Sequence, residues 1–321
     1  MLRRPMPPLV ASAVMTTDQP GELAPGSAAG ALVSGAPRTS SVAEVVAAIE
    51  ARYPPTTAED WDRVGLVVGE PSARVQHILL AVDCVPETVD EAIAVGAQMM
   101  VVHHPLLLRG VHSVATTSYK GMVVHQLIRA GIALYVAHTN ADVATPGVSD
   151  ALAARLGLEE IRPLVAESGH PGRVGRLEPP QRLSDFASLA ARRLPATAVG
   201  VRAAGAPDRL VGMIAVAGGA GDTFLADAVA AGVDAYLTSD LRHHPASEHL
   251  AGGGPALLDA PHWATERPWL DALAGELRAD LGLSVGVSDR VTDVWTVHAP
   301  GNPAAPVTAS VPTLASPHAS P

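Results

Sequence analysis

The sequence predicts an α/β protein made of two related α/β lobes, and three observations carry that expectation. Short apolar runs of strand length alternate with stretches whose apolar residues recur at helical spacing. The alternation occurs twice, because aligning Gly96 with Gly232 brings Ser239 and Asp240 onto His103 and His104. Polar motifs rich in His and Asp directly follow the apolar runs. Right-handed crossovers of this kind make a mostly parallel sheet, with ligands at the carboxyl ends of its strands.

Residues 1–38 are rich in Pro, Gly, Ala and Ser without a sustained period, and are expected to be a disordered leader. Prolines directly follow Arg3 and Arg4, and Leu9 to Met15 is short and only mildly apolar, which argues against a secretory signal. Residues 300–321 share that composition and are expected to be a disordered tail. The patterned region between them, 39–299, divides into lobes at about 39–160 and 205–299 joined by 161–204. Ser41 opens the first helix, SVAEVVAAIEARY, and Glu44 three residues on completes a capping box. HILLAVD (77–83) is a buried strand, PETVDEAIAVG (86–96) a helix ended by Gly96, and AQMMVVHHP (97–105) the next strand. A helix across 117–130 leads to ALYVAHTNAD (133–142), a strand with its exit loop. In the second half RLVGMIAVAGGAG (209–221), DTFLADAVAAG (222–232) and VDAYLTSD (233–240) repeat strand, helix and strand. PALLDA (255–260) feeds a helix beginning PHWATE, and the strands SVGVSD and TDVWTVH close the fold.

The 321 residues are 48% hydrophobic with a mean hydropathy of +0.22, ample for a sizeable core. No apolar run approaches the ~20 residues of a membrane helix, so no membrane association is expected. The net charge is −10 and only 17% of residues are charged, which speaks against nucleic-acid binding. Lys120 is the single lysine. Cys84 is the single cysteine, which rules out an intrachain disulfide or thiolate cage and suits a cytoplasmic location.

Three motifs carry chemistry. His103 and His104 end an apolar strand before Pro105. Neighbouring strand residues face opposite ways, so each ring would serve a different one of two nearby ions; the pair reads equally as loop histidines on the surface. His138 and Asp142 end the next strand, and alone they read as turn residues. His262 and Glu266, four apart, share one helical face, a pairing that suits Zn, Mn, Fe or Co but also arises by chance. Together three histidines and two carboxylates exceed the needs of one open catalytic zinc. They suit two divalent ions with a bridging carboxylate.

The ordered set AEDWDRVGLVVG (58–69), HILLAVDCVPETVDEAI (77–93), VVHHPLLLRG (101–110), AHTNADVATPGVSDALAARLGL (137–158), GRVGRL (172–177), AVAGGAG (215–221), DAYLTSDLRHH (234–244) and HWATE (262–266) resembles the Nif-three-like family of GTP cyclohydrolase 1 type 2 homologs. The resemblance covers roughly residues 40–297. It implies two related α/β lobes with a dinuclear metal site between them and assembly as a toroidal homo-hexamer. It also implies that Glu266 bridges both ions, that His104 and Asp142 complete one, and that His103 and His262 complete the other. The chain departs from the family pattern at Arg63, Ser239 and Pro261, where Asn, Gly and Gly are usual; the last two bear on substrate fit and backbone geometry near the site.

His138 and His244 are candidates for proton transfer or for contacts behind the ligands, and His243 for a solvated position. Lys120 and Arg109 could meet an anionic substrate, although Arg109 reads as readily as a solvated loop charge. The remaining histidines carry no supporting context. The Gly-rich turn AVAGGAGD (215–222) reads as tight packing near the site, with phosphate contact a minor alternative. The expected function is a metal-dependent hydrolase in which a metal-bound hydroxide attacks a purine-nucleotide ring carbon, C8 of GTP if the family's name transfers, with release of formate. The alternative is a non-catalytic metal-binding or regulatory scaffold.

Overall fold

Apolar runs without alternation form the doubly buried central strands of two sheets. The computed structural model describes residues 38–166 and 169–301. The leader (apart from residue 38) and the tail beyond residue 301 lie outside the described residues. In chain order come β1 (Ser40–Ser41), α1 (Val42–Glu50), β2 (Gly65–Val68), β3 (Arg74–Val75), β4 (His77–Ala81), α2 (Pro86–Ala94), β5 (Met99–Val102), α3 (Tyr119–Ala130), β6 (Ala133–Val136), α4 (Thr139–Val143) and α5 (Val148–Arg155). There follow β7 (Glu159–Pro163), β8 (Arg173–Arg182), α6 (Leu183–Arg193), β9 (Arg202–Ala204), β10 (Leu210–Ala220), α7 (Leu225–Ala230), β11 (Ala235–Ser239), α8 (His243–Ala251), β12 (Ala256–Asp259), α9 (His262–Leu281) and β13 (Ser284–Val287).

The first sheet has the order β13-β4-β5-β6-β2, parallel except for β2 at one edge. The second has the order β7-β8-β10-β11-β12-β9. Only β10, β11 and β12 run parallel there; β7, β8 and β9 pair antiparallel, so this sheet is mixed rather than mostly parallel. Strand parity sets the layers. Ile78, Leu80, Met99 and Val101 face a central core that also receives Ile214, Val216, Leu237 and Leu258 of the second sheet. Leu79, Met100 and Val102 face an outer core, and Ala215, Tyr236 and Leu257 face another on the far side. Two sheets therefore share one central layer, in which α9 supplies Trp269, Leu270, Leu273 and Leu277.

The capping box forms as expected: Glu44 N donates to Ser41 Oγ at 3.2 Å and Ser41 N to Glu44 Oε2 at 2.6 Å. Three expectations differ. The stretch 222–232 opens as a 3-10 turn, Asp222–Phe224, before the short α7. The segment between the expected lobes is not a linker, since β7, β8 and β9 enlarge the second sheet, and β13 returns to pair with β4 of the first. TDVWTVH forms no strand, although Val294 and Trp295 have strand character and lie exposed. Its approach is pinned by side chains instead: Ser288 Oγ donates to Glu91 Oε2 at 2.6 Å and Thr292 Oγ1 donates to Asp83 Oδ2, which draws the segment across the ends of the strands. No helix among the described residues is long and apolar enough to cross a membrane.

Candidate metal centre

β5 ends at Val102, and the chain bends at the next two residues while their amides stay bonded to the exit of β4. His103 N donates to the Val82 carbonyl at 3.1 Å and His104 N to the same carbonyl at 2.9 Å. The expected opposition of the two rings is thereby reduced, and their centroids lie 5.1 Å apart. Both approach Glu266, but at different oxygens: His103 Nε2 lies 3.4 Å from Oε1 and His104 Nε2 lies 3.0 Å from Oε2. His262, one helical turn before Glu266 on α9, brings its Nε2 to 3.0 Å from Oε1. Asp142, in the short α4 behind β6, places Oδ1 3.6 Å from His103 Nε2. All five side chains singled out in the sequence thus converge at the strand ends, where both sheets deliver them.

Each imidazole has its other nitrogen fixed. His103 Nδ1 donates to the Ala137 carbonyl at 2.9 Å, His104 Nδ1 to Asp83 Oδ1 at 2.8 Å, and His262 Nδ1 to Asp240 Oδ2 at 2.7 Å. With Nδ1 so engaged, every Nε2 faces inward and presents its lone pair once its proton is displaced, the usual arrangement behind histidine ligands. Asp240 achieves it from a left-handed backbone (φ +57°), which Asp tolerates better than most residues. His138 has the same construction. Its Nδ1 donates to Asp62 Oδ1 at 2.9 Å, and His103, His104 and His138 form a group whose ligand atoms lie within 4.8 Å of one another. The structure does not bring His244 into the cluster: it is exposed at the start of α8, with its ring 5.2 Å from that of His243.

Burial alone would neutralise these groups, but their mutual charges prevail. Burial is the largest single influence and works against protonation of His103, His104 and His262, yet Glu266 together with Asp142, Asp83 and Asp240 respectively outweighs it and raises all three, His262 to about 10. Burial likewise opposes ionisation of Glu266, which the three histidines nonetheless hold well below the usual carboxylate range. Asp142 is raised, by burial first and then by the Glu266 charge. Hydrogen bonds from His138 and Thr139 overcome burial to hold Asp62 well below its ordinary value.

Two buried atoms in the cluster lack a well-formed hydrogen bond: His103 Nε2, and Glu266 Oε2, which has only the 3.0 Å approach of His104 Nε2. Leaving such atoms unpaired costs on the order of 1–3 kcal/mol each. A metal–nitrogen bond of about 2.0–2.1 Å puts the ligands of one tetrahedral ion roughly 3.3 Å apart. The separations of 3.0 to 3.6 Å among these atoms match that spacing. This buried His/Glu group can hold a metal ion.

Sequence reasoning missed the orienting carboxylates Asp62, Asp83 and Asp240. A signal existed, since Asp83 and Asp240 directly follow apolar strands as the ligands do. The expected tight packing of the Gly-rich turn near the site takes a specific form at Gly219. At φ +68° a Cβ on Gly219 would sit 2.6 Å from Glu266 Oε1 and 3.3 Å from His262 Nε2, so the strand end must lack a side chain there. Of the departures from the family pattern, Ser239 lies buried with Oγ 3.1 Å from Thr265 Oγ1, Pro261 occupies the N-cap position of α9, and Arg63 donates to the Asp60 carbonyl at 3.2 Å. A cleft of about 530 Å³ opens over His104 and His262, with Arg202, Trp263 and Trp295 in its walls.

Comparison with known proteins shows the family and the fold. The family described as Duf34/NIF3 (NGG1p interacting factor 3) matches residues 40–294. A Streptomyces coelicolor protein named GTP cyclohydrolase 1 type 2 homolog is 52% identical over 273 residues, covering 82% of this chain and 96% of its own length. A Mycobacterium tuberculosis protein of the same name is 36% identical over 368 residues, covering 80% and 97%. Among solved structures, a Staphylococcus aureus hypothetical protein superposes with a TM-score of 0.74 at 27% identity, covering 80% of this chain and 99% of that one. A Bacillus cereus protein related to NIF3 gives 0.74 at 23% identity, covering 81% and 100%, and supports the fold.

Proposed function

Since this chain belongs to the Duf34/NIF3 family, we propose that it is a dinuclear divalent-metal protein and a metal-dependent hydrolase acting on a purine nucleotide. The observation that carries the metal reading is the pair of buried atoms without a well-formed hydrogen bond, His103 Nε2 and Glu266 Oε2, inside a ring of imidazoles whose free nitrogens all point inward. Glu266 would bridge. His103 and His262, both near its Oε1, would hold one ion, and His104, near its Oε2, would hold the other, with Asp142 assigned to that second ion by the family resemblance while its Oδ1 lies 3.6 Å from His103 Nε2. Nitrogen and carboxylate donors without thiolate suit Zn, Mn, Fe or Co. When bound, two such ions lower the pKa of water and polarise the substrate.

The chain's own residues supply the rest. Asp83 and Asp240 hold His104 and His262 in the ligating tautomer. His138 Nε2, backed by Asp62, is placed to accept a proton at the centre and return it to a leaving group. The cleft over His104 and His262 offers Trp295 as a flat apolar wall for a heterocycle. The name carried by the curated relatives points to GTP, with ring opening at C8 and formate as the product. Family membership also favours a toroidal homo-hexamer, which mass photometry of the purified chain tests directly.

The decisive experiment measures metal content and turnover on the same samples. Wild-type protein loaded with each candidate metal should carry two ions per chain and release formate from GTP. Glu266→Gln should lose both ions together, because it removes the shared ligand; two ions retained per variant chain would refute the bridging assignment. Full metal occupancy with no turnover across GTP and a nucleotide panel would refute the hydrolase reading and leave a metal-binding scaffold.

A further inference from the structure

We infer that a second cavity beside the centre is a phosphoryl-binding subsite built from Arg109, Lys120 and Tyr119. The inference rests on the metal-centre reading, for it supplies the anchoring end of a ligand whose reacting part lies over His104 and Glu266.

The cavity measures about 320 Å³ and meets the main cleft at Asp83 and His104, the only residues that line both. Elsewhere its wall runs through Cys84, Val85 and Pro105 to Arg109, Tyr119 and Lys120. In a chain of net charge −10, this places the sole lysine and an arginine in one concavity. Among the described residues neither has a carboxylate within 4.0 Å, whereas Arg202 of the main cleft is bound by Asp259. Asp83 is the one carboxylate lining the cavity, and both its oxygens are engaged, by His104 Nδ1 and by Thr292 Oγ1. Burial, followed by the charges of Cys84, Asp83 and Glu87, pushes the Tyr119 hydroxyl up, so it remains a donor at neutral pH. Two uncommitted cations and a hydroxyl donor therefore line a space whose one carboxylate is already engaged.

Charge selects the ligand. A phosphate monoester carries about −1.5 to −2 near pH 7 and offers three acceptor oxygens. That matches two cations and a hydroxyl, while a single carboxylate would leave one cation unanswered. A ligand with its phosphoryl end here and a flat ring against Trp295 would span the junction at His104, with the bonds between ring and phosphate nearest the metal ligands.

The test uses full-length protein stripped of metal by chelation, so that bound ions cannot themselves capture the probe. Inorganic pyrophosphate, malonate and guanosine are titrated calorimetrically at low salt. Stripped wild-type protein should bind pyrophosphate more tightly than malonate. The Arg109→Ala/Lys120→Ala double variant should lose about tenfold or more of that affinity, as expected for two charge-assisted contacts, while guanosine binding stays unchanged. Arg109→Lys alone should keep most of it. Unchanged pyrophosphate affinity in the double variant, no pyrophosphate binding by stripped wild type, or equal binding of malonate would each overturn the inference. Metal content after reloading separates the two readings. Fewer than two ions in wild type would strike the dinuclear centre and leave the pyrophosphate result standing; two ions in the double variant show that its centre is intact.

Discussion

His262 and Glu266 illustrate how the cluster behaves before metal arrives. Burial disfavours the protonated imidazole, but the Glu266 charge and the Asp240 hydrogen bond push it up to about 10. Folded protein therefore holds this proton more tightly than unfolded protein does. The stability so gained is complete below the ordinary value of 6.5 and is lost as pH rises from there through about 10. Glu266 has the opposite sense: its contribution is present above the ordinary 4.5 and is lost as pH falls toward its lowered value. Metal-free protein should accordingly melt at its highest temperature between about pH 4.5 and 6.5 and progressively lower toward pH 10. Metal must displace these protons, so added divalent ion should raise the melting temperature more at pH 8 than at pH 6. Thermal scans with chelator or metal across that range test both statements; a metal-free profile flat from pH 6 to 10 would contradict the coupling. The five side chains that converge as candidate ligands were legible in the sequence because each follows a strand or shares a helical face. Asp62, whose partner His138 is 76 positions away, was not, because only the folded chain brings the two together.

At the scale of elements, α9 and the end of β10 make the site what it is. α9 carries His262 and Glu266 on its first turns and then lays Trp269 against His103, with ring centroids 5.4 Å apart, so ligands and packing are fixed by one rigid helix. β10 supplies the opposing wall at Gly219. Gly219→Ala would both force an alanine into a left-handed backbone and push its methyl onto Glu266 Oε1. It should lower metal occupancy well below that of wild type while costing at most a few kcal/mol of stability, measured by metal analysis and chemical denaturation; full occupancy would show that the wall has room to yield. Helices and parallel strands were legible from period and caps, as the Ser41 box shows. The antiparallel strands β7, β8 and β9 were not, because Glu159–Pro163 and Arg173–Arg182 are rich in charged residues and proline and lack a clean apolar pattern. TDVWTVH misled in the other direction: its composition suits a strand, but the segment is held by the Thr292–Asp83 side-chain bond and pairs with no strand.

Considered whole, the molecule places its candidate ligands on segments from both sheets, so a bound metal would tie distant parts of the chain to one another. An ion that binds only the folded form stabilises it by mass action, about 2.7 kcal/mol per site when free metal is 100 times its dissociation constant. Chelation should lower the melting temperature of the wild type but not of Glu266→Gln, as calorimetry will show; an equal drop in both would place the effective metal elsewhere. The return of β13 to the first sheet has a consequence for biosynthesis. β4 acquires one of its two neighbours from Ser284–Val287, near the end of the patterned region. While the ribosome is still making the second half, the nascent first sheet presents β4 as an open edge, the kind of surface that invites pairing with another chain. The first half is thus the last to be finished, and its completion waits on the same stretch of translation that delivers His262 and Glu266.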